Sequence, residues 1–187
     1  MALWKAEEDE SRAAALQMQA MRQVELLESD HGPYWMRRAE GLLARHVSAA
    51  PATGDLAILV RAAASFYRAG KLTDALGAYE RAWQHAKESG DELQAFDLAK
   101  KSAAVLQQLD RLDEASARFR RIATGSPAHA EAPQTHLLAI FNASQALRKS
   151  AEPDVAGYAA LLSEHIKQWP DSETSQTASW WLARVLM

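Results

Sequence analysis

Residues 59–83 read LVRAAASFYRAGKLTDALGAYERAW. Leu59, Ala62, Ala63 and Phe66 recur at the spacing that places side chains on one face of a helix. Gly70 breaks that run, and Ala75, Tyr79, Ala82 and Trp83 then line one face of a second helix. Two amphipathic helices joined through a glycine make an antiparallel hairpin. The small residues let the paired helices approach closely, and the aromatics fill the space beside them.

The same pattern returns forty residues on, with Ala115 and Phe119 in the places of Ala75 and Tyr79. Ala99, Ala103 and Leu106 take the first-helix positions; Ala115, Phe119 and Ile122 take the second. Upstream, Ala39, Leu43 and Pro51 keep the spacing of Ala115, Phe119 and Pro127, which makes 35–51 another second helix. Its partner is the segment from about Ser11 to Glu28, with Leu16, Ala20, Val24 and Leu27 on one stripe. A less regular unit follows. Its first helix starts near Pro133, a residue suited to a first turn, and its second runs from about Asp154 to Trp169. Gly157 inside that second helix costs stability. Helix pairs are therefore expected over about 6–51, 55–90, 91–127 and 130–170, with an unpaired helix over 173–187.

Composition agrees with an all-α chain. Good helix formers dominate, strand-like alternation is nearly absent, and breaks such as SDHGPY (29–34), ESGD (88–91) and KSAEPD (149–154) leave short connections. Gly90 and Gly125 sit where a helix end favours a left-handed residue. Asp55, Asp91 and Asp113 sit where N-caps belong, and Asp91 has Gln94 three residues later, a variant capping box. With 187 residues, the chain is long enough for one domain and too short for two comfortable ones. Its 48% hydrophobic and 24% charged content suits a folded, soluble protein. A net charge of −3 points away from nucleic acid and from a basic membrane-binding surface. With no cysteine there is no disulfide, thiolate zinc site or cysteine nucleophile. No stretch approaches the roughly 20 apolar residues of a membrane span. MALWKAEEDESR turns acidic too early for a signal peptide. The expectation is a cytoplasmic protein if Met1 is the native start, and a periplasmic one if a signal segment has been removed.

The segment 59–83 resembles the tetratricopeptide repeat, in which large, small and aromatic residues, then alanine, aromatic and alanine, recur at these spacings. Lys87 stands where that family usually has proline, while Pro127 fills the position in the next unit. HIKQWPDSETSQTASWWLAR (165–184) is similar to the join between repeats in bacterial proteins of the family. The resemblance implies a right-handed superhelical solenoid of antiparallel hairpins, about nine helices in all, whose first helices line a concave face. It places Val60, Ala64, Tyr67 and Arg68 of one repeat in that groove, Asp97, Lys100, Ala104 and Gln107 of the next, and Trp180 of the last helix. The family's carboxylate clamp wants Lys and Asn where this chain has Val60 and Ala64, which disfavours capture of chaperone tails. In the last helix, Leu182 and Ala183 are expected to pack on the preceding hairpin and Trp180 to face the groove. Trp181 is expected to point where a second helix would cover it. The sequence then reads as ending in half a repeat, with at least one of the two indoles under-covered.

Motifs for chemistry are absent. His129 and His136 flank Glu131, and His165 follows Glu164, but no metal-ligand spacing such as HExxH occurs. His46 and His165 occupy the alanine position at the end of a second helix, where partial burial is expected. The acidic run EEDE (7–10) circles a first helical turn and is expected to be solvated there. No phosphate-binding glycine loop and no nucleophile elbow appears. Lys100, Lys101, Arg118, Arg120 and Arg121 form a candidate basic stripe, most simply a salt-bridged surface; Lys100 is the one expected to reach an acidic peptide. These readings point to a non-catalytic protein–protein interaction scaffold, part of a larger bacterial protein, that binds a peptide in the groove without cofactor or metal. The alternatives are an all-α enzyme or small-ligand sensor with an internal pocket, and an assembly element that dimerises through its terminal helix.

Overall fold

The computed structural model describes residues 10–48 and 56–187. Residues 7–9 of the acidic run, Pro51 and Asp55 lie outside the described residues, as do the side chains of Glu10, Leu43 and His46. Among the described residues there are nine helices and no strand. They are α1 (Glu10–His31), α2 (Pro33–Ser48), α3 (Leu56–Arg68), α4 (Leu72–Glu88), α5 (Glu92–Gln108), α6 (Leu112–Gly125), α7 (Ala132–Lys149), α8 (Val155–Gln168) and α9 (Glu173–Leu186). The fold divides into two compact units, Met1–Leu98 and Ala99–Met187, and the division falls inside α5.

Three turns share one hydrogen-bond scheme. Gly70, Gly90 and Asp110 take left-handed φ values of 71°, 76° and 61°. At each, the residue's own N–H donates to the carbonyl three back, and the following N–H donates to the carbonyl five back: Gly70 to Tyr67 and Lys71 to Phe66, Gly90 to Lys87 and Asp91 to Ala86, Asp110 to Gln107 and Arg111 to Leu106. This is the Schellman closure, which satisfies carbonyls that a helix end leaves open. The turns recur every twenty residues, one helix per interval, so the forty-residue sequence period corresponds to two nearly identical helix-turn steps.

The caps differ in part from expectation. Asp91 accepts the Gln94 N–H at 3.0 Å, as an N-cap should. Asp113 lies inside the first turn of α6, because the Schellman closure already hands the start of the helix to Arg111, whose carbonyl receives the Ala115 N–H. Gly125 is the last residue of α6 and is not left-handed. Gly157 has a use that outweighs its entropic cost. Its N–H donates to Asp154 Oδ1 at 2.8 Å, and a Cβ built there would lie 2.1 Å from the Asp154 carboxylate. Glycine thus leaves room for the N-cap of α8.

In the first unit, Val24 of α1 and Ala39 of α2 form a small core with Ala20, Leu27 and Met36 around it. α3 packs on α4, burying Ile58, Leu59, Ala62, Ala63 and Phe66 on one side and Ala75, Ala78, Tyr79 and Ala82 on the other. Ala63, Ala75, Ala78 and Ala82 have no exposed surface, and side chains this small let packed helices approach closely. In the second unit, α6 packs on α7, and the buried Ser116 hydroxyl donates to the Ala139 carbonyl at 2.9 Å. A further core joins Ile140, Tyr158, Leu161, Leu162 and Ala178, with Trp181, Leu182 and Val185 of α9 packed against it.

That packing corrects the register expected for α9. Ala183 is exposed, and the buried small residue is Ala178, followed by Trp181, Leu182 and Val185 at helical spacing. Trp181 therefore turns toward the core of its unit rather than toward a missing neighbour, while Trp180, about 100° away, is 58% exposed.

Candidate functional site

The orientation of α9 opens an apolar cleft in the second unit. The cleft, of about 490 Å³, is lined by residues of α7, α8 and α9. Leu147, Tyr158, Trp181 and Val185 contribute core-packed surface to it, whereas Phe141 and Trp180 stand exposed at 40% and 58%. Two cations complete the lining, Arg148 and Arg184. The Arg184 guanidinium lies over the Trp180 ring, 4.9 Å from its centroid, a cation–π contact that holds both groups at the rim. Burial pushes the Tyr158 phenol above its ordinary pKa, with Arg148 opposing. Phe141, Ser144 and Arg148 fall on one stripe of α7 by spacing alone. An aromatic off that helix's core stripe is the signal that could have drawn attention to this face.

The structure places the other expected groove residues as follows. Val60 and Ala64 are half-buried on α3, and Tyr67 is 37% exposed. Arg68 is ion-paired with Glu40 of α2, whose carboxylate is buried. Asp97 is exposed on the part of α5 that belongs to the first unit. In the second unit, Ala104 and Gln107 are half-buried, and the Lys100 ammonium is bound by Glu131 just before α7. That bond holds the Glu131 carboxyl below its ordinary range. The lysine expected to meet an acidic peptide thus already has an acid from its own chain. Two more members of the basic stripe are similarly engaged: Arg118 donates to the Ser102 hydroxyl at 3.1 Å, and Arg120 grips Glu164 through two bonds of 3.1 and 2.5 Å; Lys101 and Arg121 are exposed.

A polar cluster lies elsewhere in the same unit. His136 of α7 and His165 of α8 are both fully buried, their Nδ1 atoms 3.3 Å apart. Trp169 completes a triangle of rings with centroids 5.1 and 5.3 Å from the two imidazoles. His165 Nε2 lies 2.9 Å from Thr174 Oγ1 in the first turn of α9, and His136 Nε2 lies 3.5 Å from Glu164 Oε1. One proton arrangement serves all of these contacts. His136 carries its proton on Nε2 toward Glu164, and its Nδ1 accepts from His165 Nδ1–H, whose Nε2 accepts the Thr174 hydroxyl. Burial lowers the pKa of His136, with Glu164 opposing, and drives His165 down to about 4 with His136 adding to the shift. Burial is the largest single influence on Glu164 and works against its charge, but the hydrogen bond and charge of Arg120 together with His136 outweigh it and leave that carboxyl lowered. His136 Nε2, 3.5 Å from Glu164 Oε1, makes no hydrogen bond of ordinary geometry, while Trp169 Nε1–H donates to the Pro127 carbonyl at 3.0 Å, tying the end of α8 to the link after α6. The cluster fastens three helices together. Full burial of His165, rather than the partial burial expected, follows from the Thr174 and His136 partners that α9 and α7 supply.

Among the described residues, no group of three or more His, Asp or Glu could hold a metal ion, and no helix is long and apolar enough to cross a membrane. Set against family models, curated proteins and solved structures, the chain matches none of them.

Proposed function

We propose that this chain is a non-catalytic protein–protein interaction scaffold, a tetratricopeptide-like right-handed solenoid that belongs to a larger bacterial protein. The observation that carries the reading is the exposed pair Phe141 and Trp180 at a cleft rimmed by arginines. Exposed aromatic and arginine side chains around a concave apolar surface are the composition of binding hot spots. The recurring Schellman turns at Gly70, Gly90 and Asp110 support a repeat architecture, whose usual employment is the display of an extended binding face.

The test is affinity capture with the full chain as bait, beside Trp180→Glu and a Tyr67→Ala/Lys100→Ala double variant. A partner retained by the native chain and lost with at least one variant supports the scaffold. Identical recoveries from all three baits overturn it. The exposure of Trp180 also favours a second reading, self-association through α9. Light scattering separates the two: a monomer at high concentration, unchanged by Trp180→Ala, removes the assembly reading.

A further inference from the structure

The geometry points to the α7–α8–α9 cleft as the dock for a partner's amphipathic segment in which Asp or Glu flanks the apolar side chains. This rests on the scaffold reading above and names the class of partner. The argument is one of charge. Six cations elsewhere are matched by acids of the chain: Arg61 by Glu25, Arg68 by Glu40, Lys100 by Glu131, Arg111 by Glu114, Arg120 by Glu164 and Lys149 by Asp110. At the cleft, Arg148 and Arg184 face solvent, and no carboxylate stands in the lining. Neither arginine forms an ion pair with a described residue. In a protein of net charge −3, two unmatched cations beside an open aromatic surface make a local positive field over an apolar floor.

Geometry adds to charge. Arg184 is stacked on Trp180, and a stacked guanidinium keeps its in-plane N–H donors available for a carboxylate. The cleft volume falls in the range that takes whole side chains. Its floor includes Leu147 and Val185, shapes that suit leucine or phenylalanine better than the flat face of a base. A helix laid in such a groove offers apolar residues at three- and four-residue spacing with charges on either side. Carboxylates at those flanks would steer the encounter and set orientation.

The experiment uses the full chain and three labelled peptides, read by fluorescence anisotropy. The first is a short amphipathic helix with Leu and Phe on one face and Glu on both flanks. The second replaces Glu with Lys, and the third replaces Leu and Phe with Ser. Saturable binding of the first peptide, at least about tenfold tighter than either of the others, is expected. Arg148→Glu/Arg184→Glu should invert the preference toward the Lys peptide. Arg184→Gln should weaken the acidic peptide without inversion, and both proteins should keep the native circular dichroism and melting profile. Equal binding of all three peptides overturns the proposal. So does unchanged affinity in the charge-reversed protein, or displacement of the first peptide by a single-stranded oligonucleotide. Failure here is separable from failure of the scaffold. A captured partner held equally by native and Arg148→Glu/Arg184→Glu baits refutes the acidic dock and leaves the scaffold standing.

Discussion

His165 Nδ1 lies 3.3 Å from His136 Nδ1, both imidazoles without exposed surface, between a carboxylate–arginine pair at one end and the Thr174 hydroxyl at the other. That relation makes the second unit depend on two histidines remaining neutral. The shared contact allows one proton between the two rings, so charging His136 puts two N–H groups face to face or forces a rotation, while charging His165 at Nε2 removes the acceptor of the Thr174 hydroxyl.

Stability should therefore fall with acid. The folded pKa of His165, about 4, lies below the ordinary histidine value near 6.5. Between those values the unfolded chain binds a proton that the folded chain refuses, so unfolding free energy rises with pH across that window. The stabilisation is complete above about pH 6.5 and is lost on the way down to about pH 4, on the order of 3 kcal/mol for His165. His136 acts in the same direction. Urea midpoints measured from pH 7.5 to 4.5 should drop steeply for the native protein and more shallowly for His165→Leu, whatever the variant's absolute stability. Parallel slopes would show that the pair does not titrate as described.

The two tryptophans of α9 should separate cleanly in mutagenesis. Trp181 packs against the core of Ile140, Tyr158, Leu161, Leu162 and Ala178, so Trp181→Ala should cost about 2–4 kcal/mol. Trp180 is mostly in water, and Trp180→Ala should stay within about 1 kcal/mol. Chemical denaturation of both variants measures the difference, and reversed costs would contradict the register of α9.

Glu40 is 6% exposed and meets the half-exposed Arg68. Arg68→Ala leaves a buried carboxylate without its cation, a loss of about 2 kcal/mol, reduced from the fully buried case because Arg68 reaches water. Glu40→Leu on top of Arg68→Ala should recover most of that loss, since an apolar side chain needs no partner there. Thermal melts of the single and double variants decide, and an additive double variant would argue against the pair.

Asp110 holds the left-handed turn position that Gly70 and Gly90 hold elsewhere, and its carboxylate meets Lys149 at 2.5 Å on the surface. Aspartate tolerates this backbone region; a β-branched residue does not. Asp110→Val should cost about 1–2 kcal/mol through backbone strain, whereas Lys149→Ala should cost less than about 1 kcal/mol because both partners are exposed. If Lys149→Ala proves the more damaging in denaturant titrations, the ion pair rather than the turn governs this corner.

Local structure is what the order of residues dictates here. The spacing of Leu59, Ala62, Ala63 and Phe66, the glycines at 70 and 90, and the Asp91 cap each act within a few residues of chain, so helix, turn and hairpin were legible from them. Even there, cap chemistry depends on neighbours: Asp113 lies inside a first turn that Arg111 starts, Gly125 is not left-handed, and Gly157 makes room for the Asp154 cap. Tertiary structure alone decided which of two adjacent tryptophans is core. Helical spacing separates Trp180 from Trp181 but gives no sign of which side the preceding hairpin occupies. It alone also joined His136 to His165, Glu40 to Arg68, and Phe141, Arg148, Trp180 and Arg184 around one cleft. Those residues lie on different helices, and their chemistry exists only once packing of apolar faces has set the distances between them.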